Sequence, residues 1–365
     1  MKLLINKSLE GAQEIQDLTG SYYANNDFER IRTDWLLAQQ KITELVGKAV
    51  IDRALTHYYS DSYTSPLLGG ESGVGSGSAS SGLIDVNNEL VYALQVPIAY
   101  MATLSYYQSN IVGHEDSGRK VKIDNQNEKL PWEWMMDKDD LAQLRKIHQT
   151  TDRLIRFLED NSISEWIEGA KRVLTRKLFV NTVELFQEAY PIDMSPTFFY
   201  TVLSFNHEVQ TKAIKKALGA QYAPLLAYWQ TFADTDNPEA AEGSGVGSGA
   251  GSGIEGDAQI DETKQEILEA VQRCIPLLVM IVAVKRLNLQ VLPEGVVQTF
   301  KSMLQTSSSS QAALLQVIKE WRDMMTEDAN TALDDIKLLI QASDPDANTY
   351  TLAPTNNEDE KFFQL

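Results

Sequence analysis

Cysteine, histidine and basic charge are all scarce in this chain. Its 365 residues include one cysteine, Cys274, and four histidines, His57, His114, His148 and His207. A single thiol excludes an internal disulfide, and no spacing among these five residues matches a zinc motif. Cys274 opens the longest apolar run, residues 274–284, and reads as a small buried hydrophobe in an apolar helix. That run is flanked by Arg273 and Lys285 and is shorter than the ~18 residues a membrane span needs. Near Lys2 only Leu3, Leu4 and Ile5 form an apolar stretch, so a secretory signal is not expected. The expectation is a chain made in the cytoplasm, with no membrane partner.

Lysine and arginine number 32 against 51 aspartates and glutamates, for a net charge of −19. Tight binding to phosphates relies on clustered cations that release counterions, and that balance argues against it. Divided after Ala170, the chain carries 16 basic and 25 acidic residues before that point and 16 and 26 after it, or −9 and −10. The acidity is shared along the chain and not confined to a tail. It serves solubility, or it lets DNA pass without adhering.

Motifs for chemistry are missing too. No Gly-x-x-x-x-Gly-Lys-Ser/Thr pattern occurs, and the two glycine-serine runs contain no lysine or arginine to hold a phosphate. Nothing resembles Gly-x-Ser-x-Gly in a strand–turn–helix setting. Asp137-Asp139-Asp140, Glu327-Asp328 and Asp334-Asp335 read as solvated helix faces. A carboxylate pair does acid–base work only where a cleft separates the two pKa values. His148 sits on an apparent apolar stripe and reads as a core or interface residue. His57 lies at a helix end, where the dipole favours positive charge, and His114-Glu115-Asp116 reads as a solvated loop. The expectation is a protein that is not an enzyme and takes no cofactor and no metal.

What the chain does have is repetition. Lys2-Leu3-Leu4-Ile5-Asn6 returns as Lys177-Leu178-Phe179-Val180-Asn181, an offset of 175 residues, and Gln-Glu follows each at Gln13-Glu14 and Gln187-Glu188. Ser72-Gly73-Val74-Gly75-Ser76-Gly77 returns unchanged as Ser244-Gly245-Val246-Gly247-Ser248-Gly249, an offset of 172. An apolar segment follows each time, and matching Gln95 to Gln272 gives an offset of 177. A unit of this length is a duplicated domain and not a solenoid repeat. The expected architecture is mainly α, with two homologous helical domains in tandem at residues 1–170 and 171–342. Each has a short leading strand and a long glycine-serine loop, and an extended C-terminal arm occupies residues 343–365.

Apolar spacing predicts a helix from Asp27 to about Tyr58, with a counterpart from Ser195 to Trp229 that Gly219 ends or kinks. A further helix is predicted from Glu133 to Glu159 through Leu141, Leu144, His148, Thr151, Ile155 and Leu158, with a counterpart from Gln311 to Ile340. The glycine-serine runs, residues 68–82 and 242–256, should be flexible unless a partner orders them. Candidate interaction residues are Gly73, Val74, Gly75, Ser76, Gly77, Gly245, Val246, Gly247, Ser248 and Gly249 in those runs. Trp132 and Trp134 before the long helix, and Phe362 and Phe363 in the arm, complete the set. Exposed aromatics anchor interfaces, although Trp132, Trp134 and the Tyr58–Tyr59–Tyr63 cluster also fit as staples packing helix ends.

Three features together resemble the head–tail connector proteins of tailed phages. These are the Lys-Leu-Leu-Ile-Asn opening, the stretch Val121-Lys122-Ile123-Asp124-Asn125, and the long helix after Pro131-Trp132. More closely, the chain resembles an uncharacterised two-part family of phages and prophages of Bacteroidetes, most of all at Arg176-Lys177-Leu178-Phe179-Val180-Asn181-Thr182. The resemblance spans most of residues 1–340, and its motifs are structural. It implies a virion protein of the neck, in a ring of about twelve copies of itself beneath the portal. The implied partners are the portal protein and tail or neck proteins, with DNA passing through. Connectors of this kind are a single helical domain, and this chain reads as two. A tail terminator, an auxiliary capsid protein or a bivalent adaptor also fits the same residues.

Overall fold

The apolar helix that follows each glycine-serine run becomes the axis around which a helical unit is built. The computed structural model describes residues 2–22, 27–65, 85–110, 112–115, 118–121, 133–233, 261–287, 289–292, 295–298 and 309–343. Among these the protein is mainly α-helical, and the chain divides into two compact units, Met1–Val173 and Leu174–Leu365.

The first unit runs through α1 (Gly11–Thr19), a 3-10 turn at Phe28–Arg30, α2 (Arg32–Val46), α3 (Lys48–Tyr58) and α4 (Val86–Asn110). A hairpin of β1 (Val112–Glu115) and β2 (Gly118–Val121) comes next, in antiparallel register from Val112↔Val121 to Glu115↔Gly118. Then come α5 (Glu133–Asp160) and α6 (Ser164–Ile167), and α7 (Ala170–Thr175) crosses the boundary at Val173. The middle of α4, from Leu90 to Leu104, is apolar around most of its circumference and has no exposed residue, which marks a buried helix. Leu90, Val91, Leu94, Ile98 and Ala102 are fully buried, and α1, α2, α3 and α5 pack around it.

The second unit holds α8 (Val183–Ala189), α9 (Pro196–Val209), a π-helical turn at Gln210–Ile214, α10 (Lys215–Leu218) and α11 (Tyr222–Ala233). It continues with α12 (Glu262–Leu287), a hairpin of β3 (Leu289–Leu292) and β4 (Gly295–Gln298), and α13 (Ser309–Ser343). Side-chain caps start its early helices: Thr182 Oγ1 accepts from Leu185 N, and Ser195 Oγ accepts from Phe198 N ahead of Pro196. Here α12 is the axis, packed by α8, α9 and α13, with Val271, Cys274, Ile275 and Val279 fully buried. Both axial helices carry an internal proline, Pro97 and Pro276.

Several expectations need correcting. The single helix expected from Asp27 to Tyr58 is broken at Gly47, whose φ of +95° lies where only glycine sits without strain. Residues 2–6 and 177–181, expected as leading strands, run through bends and pair with no strand among the described residues. His114 lies in β1 and not in a loop. Along α5 the buried stripe is Ile147, Thr151, Leu154, Ile155 and Leu158, so His148 is one position off it and exposed. The counterpart helix from Ser195 onward contains a π turn that was not expected, while its break at Gly219, where φ is +53°, is as expected.

Candidate functional site

Residues 2–6 carry buried side chains and a backbone that no strand pairs among the described residues. Leu4 and Ile5 are at most 1% exposed, and each such burial stabilises by about 1.5–3 kcal/mol. Burying the backbone with them is tolerable only if its polar groups find partners. Gln39 of α2, itself fully buried, supplies two bonds: its Oε1 accepts from Leu4 N at 2.9 Å and its Nε2 donates to Lys2 O at 3.1 Å. These are the two bonds that one residue of a neighbouring parallel strand would make, provided by one side-chain amide. Gln95 Nε2 of α4 donates to Leu4 O at 2.9 Å, and the Tyr59 hydroxyl donates to Leu3 O at 2.9 Å.

The second unit has the same four bonds. Gln210 Oε1 accepts from Phe179 N at 2.8 Å and Gln210 Nε2 donates to Lys177 O at 2.8 Å. Gln272 Nε2 donates to Phe179 O at 3.0 Å, and Trp229 Nε1 donates to Leu178 O at 2.9 Å. Leu178, Phe179 and Val180 are fully buried. Each segment is thus seated against an α-helical axis by matched amides.

The downstream ends of the two seats differ. In the first unit Glu14 accepts from Asn6 N at 2.6 Å and from the Tyr58 hydroxyl at 2.7 Å, and that hydroxyl accepts from Lys7 N at 3.0 Å. Burial raises the pKa of Glu14 above its ordinary value of 4.5, against the lowering effect of the Tyr58 and Asn6 bonds. Burial, then the nearby Glu14 charge, pushes Tyr58 up as well. In the second unit an amide binds one atom earlier: Asn206 Nδ2 donates to Val180 O, the carbonyl that matches Ile5 O, at 2.9 Å.

The residues singled out from the sequence fall elsewhere. Gly73, Val74, Gly75, Ser76, Gly77, Gly245, Val246, Gly247, Ser248, Gly249, Trp132, Phe362 and Phe363 lie outside the described residues. Trp134 belongs to the first turn of α5, where the backbone alone is described. The described flanks of the first glycine-serine run do meet. Asn88 Oδ1 accepts from Thr64 N at 3.2 Å and lies 2.7 Å from His57 Nε2, with Asp85 3.6 Å from the same ring nitrogen. Tyr58 is core, Tyr63 packs edge-on against it at 4.9 Å, and Tyr59 is partly exposed.

Other chemistry-bearing groups are dispersed. No cluster of three or more potential metal ligands occurs among the described residues. Cys274 is fully buried, and burial pushes its thiol up to about 12. Asp334 pairs with Lys337 at 2.6 Å on an exposed face of α13. Glu208, on the surface, is held down to about 2 by bonds from Arg286 and Lys212. A shallow groove in the first unit runs over Ile51 and Leu55 between Lys2 and Lys48. Another, in the second unit, is lined by Glu266, Glu269, Arg273, Asp335 and Leu338. Helix α12 is long and apolar enough to cross a membrane by length and composition, but its apolar residues Ile267, Val271, Ile275 and Val279 pack inside the second unit.

No family model, no curated protein and no solved structure matches this chain.

Proposed function

We propose that this chain is a duplicated assembly protein, a structural component of the neck of a tailed phage that surrounds the DNA passage and joins head to tail. The observation that carries the duplication is the matched pair of seats. Four hydrogen bonds to backbone atoms at positions 2, 3 and 4 recur at 177, 178 and 179, donated or accepted by Gln39 and Gln210, Gln95 and Gln272, Tyr59 and Trp229. Convergence on one such seat is simple, but convergence on the same atoms in the same order is not. Element order supports the same reading, because each unit follows its axial helix with a hairpin and then a long helix.

The neck assignment rests on the resemblance to connector proteins together with this construction. Two helical units with shared acidity suit a protein whose work is packing against neighbours while DNA passes. Its partners would be further copies of itself in a ring, the portal, and neck or tail proteins.

Mass photometry of the purified protein, followed by negative-stain imaging, tests the reading. A closed ring of about twelve subunits is the expected result, formed alone or on addition of the portal. A monomer that neither forms rings nor co-purifies with a portal overturns it and leaves the bivalent adaptor. Removing residues 344–365 is expected to preserve the helical circular dichroism signal and weaken assembly, because two phenylalanines in an acidic arm are anchors for a neighbour. Assembly unchanged by the deletion would discard the arm as an anchor.

A further inference from the structure

We infer that the seat of residues 2–6 is an exchangeable peptide site, filled within one copy by its own segment and open to the same segment of a second copy. This needs only a second copy of the chain and stands apart from the neck assignment.

Recognition in the seat is of a kind that a segment from either chain satisfies equally. Gln39, Gln95, Tyr59 and Glu14 bind backbone atoms, and Leu4 and Ile5 fix the register by entering the core. Backbone bonds for affinity with buried side chains for register is the logic of strand addition, carried out here by side-chain amides. Lys7 belongs to the bound segment too, since its N–H donates to the Tyr58 hydroxyl and its ammonium to Ser60 O.

The hinge is residues 8–10, between that segment and α1. It contains Leu9 at φ +65°, in the left-handed region that a leucine side chain disfavours. Leu9 is 86% exposed, so no burial of its side chain offsets the strain, and its N–H reaches back to Asn6 O at 3.4 Å. The turn is crowded as well. Asn6 Oδ1 accepts from Gly11 N at 2.8 Å, and a Cβ at Gly11 would lie 2.7 Å from the Phe28 ring. Opening residues 8–10 into an extended form relieves Leu9, and a short hinge under strain favours exchange between copies.

The second unit is the internal control. Its segment has the same four seat bonds, but only Thr182 separates Asn181 from α8, and Thr182 is extended at φ −126° and ψ 162°. Neither Asn181 nor Thr182 has positive φ. The first seat alone has a strained hinge.

Two variants of the full chain test the inference. Deleting Ser8 and Leu9 leaves too little chain to fold back, so light scattering should show a species of at least twice the mass of the wild type in the same buffer. An excess of a synthetic peptide of residues 1–10 should return it to the wild-type mass with its helical signal intact. Leu9→Gly relaxes the closed hinge and should lower uptake of the same peptide, fluorescently labelled, by about tenfold relative to wild type. A deletion variant that folds at the wild-type mass overturns the inference. So does one whose larger species ignores the peptide, or one that unfolds and regains no helix when the peptide is added. Ring formation by the wild type is measured separately, so the neck reading and this one fail independently.

Discussion

The two units seat a five-residue segment with three apolar residues at its centre by the same four bonds, yet they finish the seat with different chemistry. The first closes it with a half-buried carboxylate and a phenol, Glu14 and Tyr58. The second closes it with the amide of Asn206. The shared part is what physics demands of any buried, unpaired stretch of backbone. The differing part is free to vary, and it makes only the first seat sensitive to protonation.

The largest expected effect breaks the shared part. Gln39→Leu leaves Leu4 N buried without an acceptor, and Gln210→Leu does the same to Phe179 N. Each change should cost about 2–3 kcal/mol in its own unit, the loss of a buried bond with its partner left unsatisfied. Urea titration with hydrogen exchange read separately over residues 2–19 and 177–189 gives the two values. If one substitution costs less than about 0.5 kcal/mol while the other costs the full amount, the seats are not equivalent and the duplication loses its best support.

The second prediction sharpens the difference. Burial raises the pKa of Glu14 in the folded state. A carboxylate raised on folding contributes stability below its ordinary value of 4.5, where it is protonated in both states. That contribution is lost as pH climbs from there through the folded pKa. Protection of residues 2–19 should therefore decline over this window in the wild type and stay level in Glu14→Gln. Protection of residues 177–189 should not follow that decline, because amide and indole groups close the second seat. A decline that persists in Glu14→Gln would move its origin to another group.

Much of this was legible in the sequence, and the seats show where legibility stopped. Aligning Gln95 with Gln272 already paired the two residues that donate to Leu4 O and Phe179 O. Gln39 and Gln210 stand at an offset of 171 and not 175, because the linker after Asn181 is shorter than the one after Asn6, so the alignment of the leading segments does not pair them. A signal was present: Gln39 lies on the stripe of Trp35, Ala38, Ile42 and Val46, where a polar residue needs a buried partner. A three-residue apolar run carries no helical period, so from sequence the leading segments read as strands. Only the tertiary contacts reveal that glutamines replace the neighbouring strand. Stepping from Leu141 and Leu144 gives His148 as a core or interface residue, but both leucines are only half-buried, and the fully packed stripe passes through Ile147 and Thr151, which leaves His148 exposed.

The smallest expected effect concerns the glycine-serine runs. Around the first, Thr64 N and His57 meet at Asn88, so the chain departs and returns beside one tied point. Around the second, the Lys264 ammonium lies 5.7 Å from the centre of the Tyr228 ring. Loop closure depends only logarithmically on length, so removing residues 72–82 from the stretch between Thr64 and Asp85 changes that cost by about 0.7 kcal/mol. The melting temperature should move by no more than a few degrees, and a matching deletion of residues 244–254 should behave alike. A fall of ten degrees in only one of the two would mean that this run packs against its unit. The repetition of sequence would then not extend to how the runs are used.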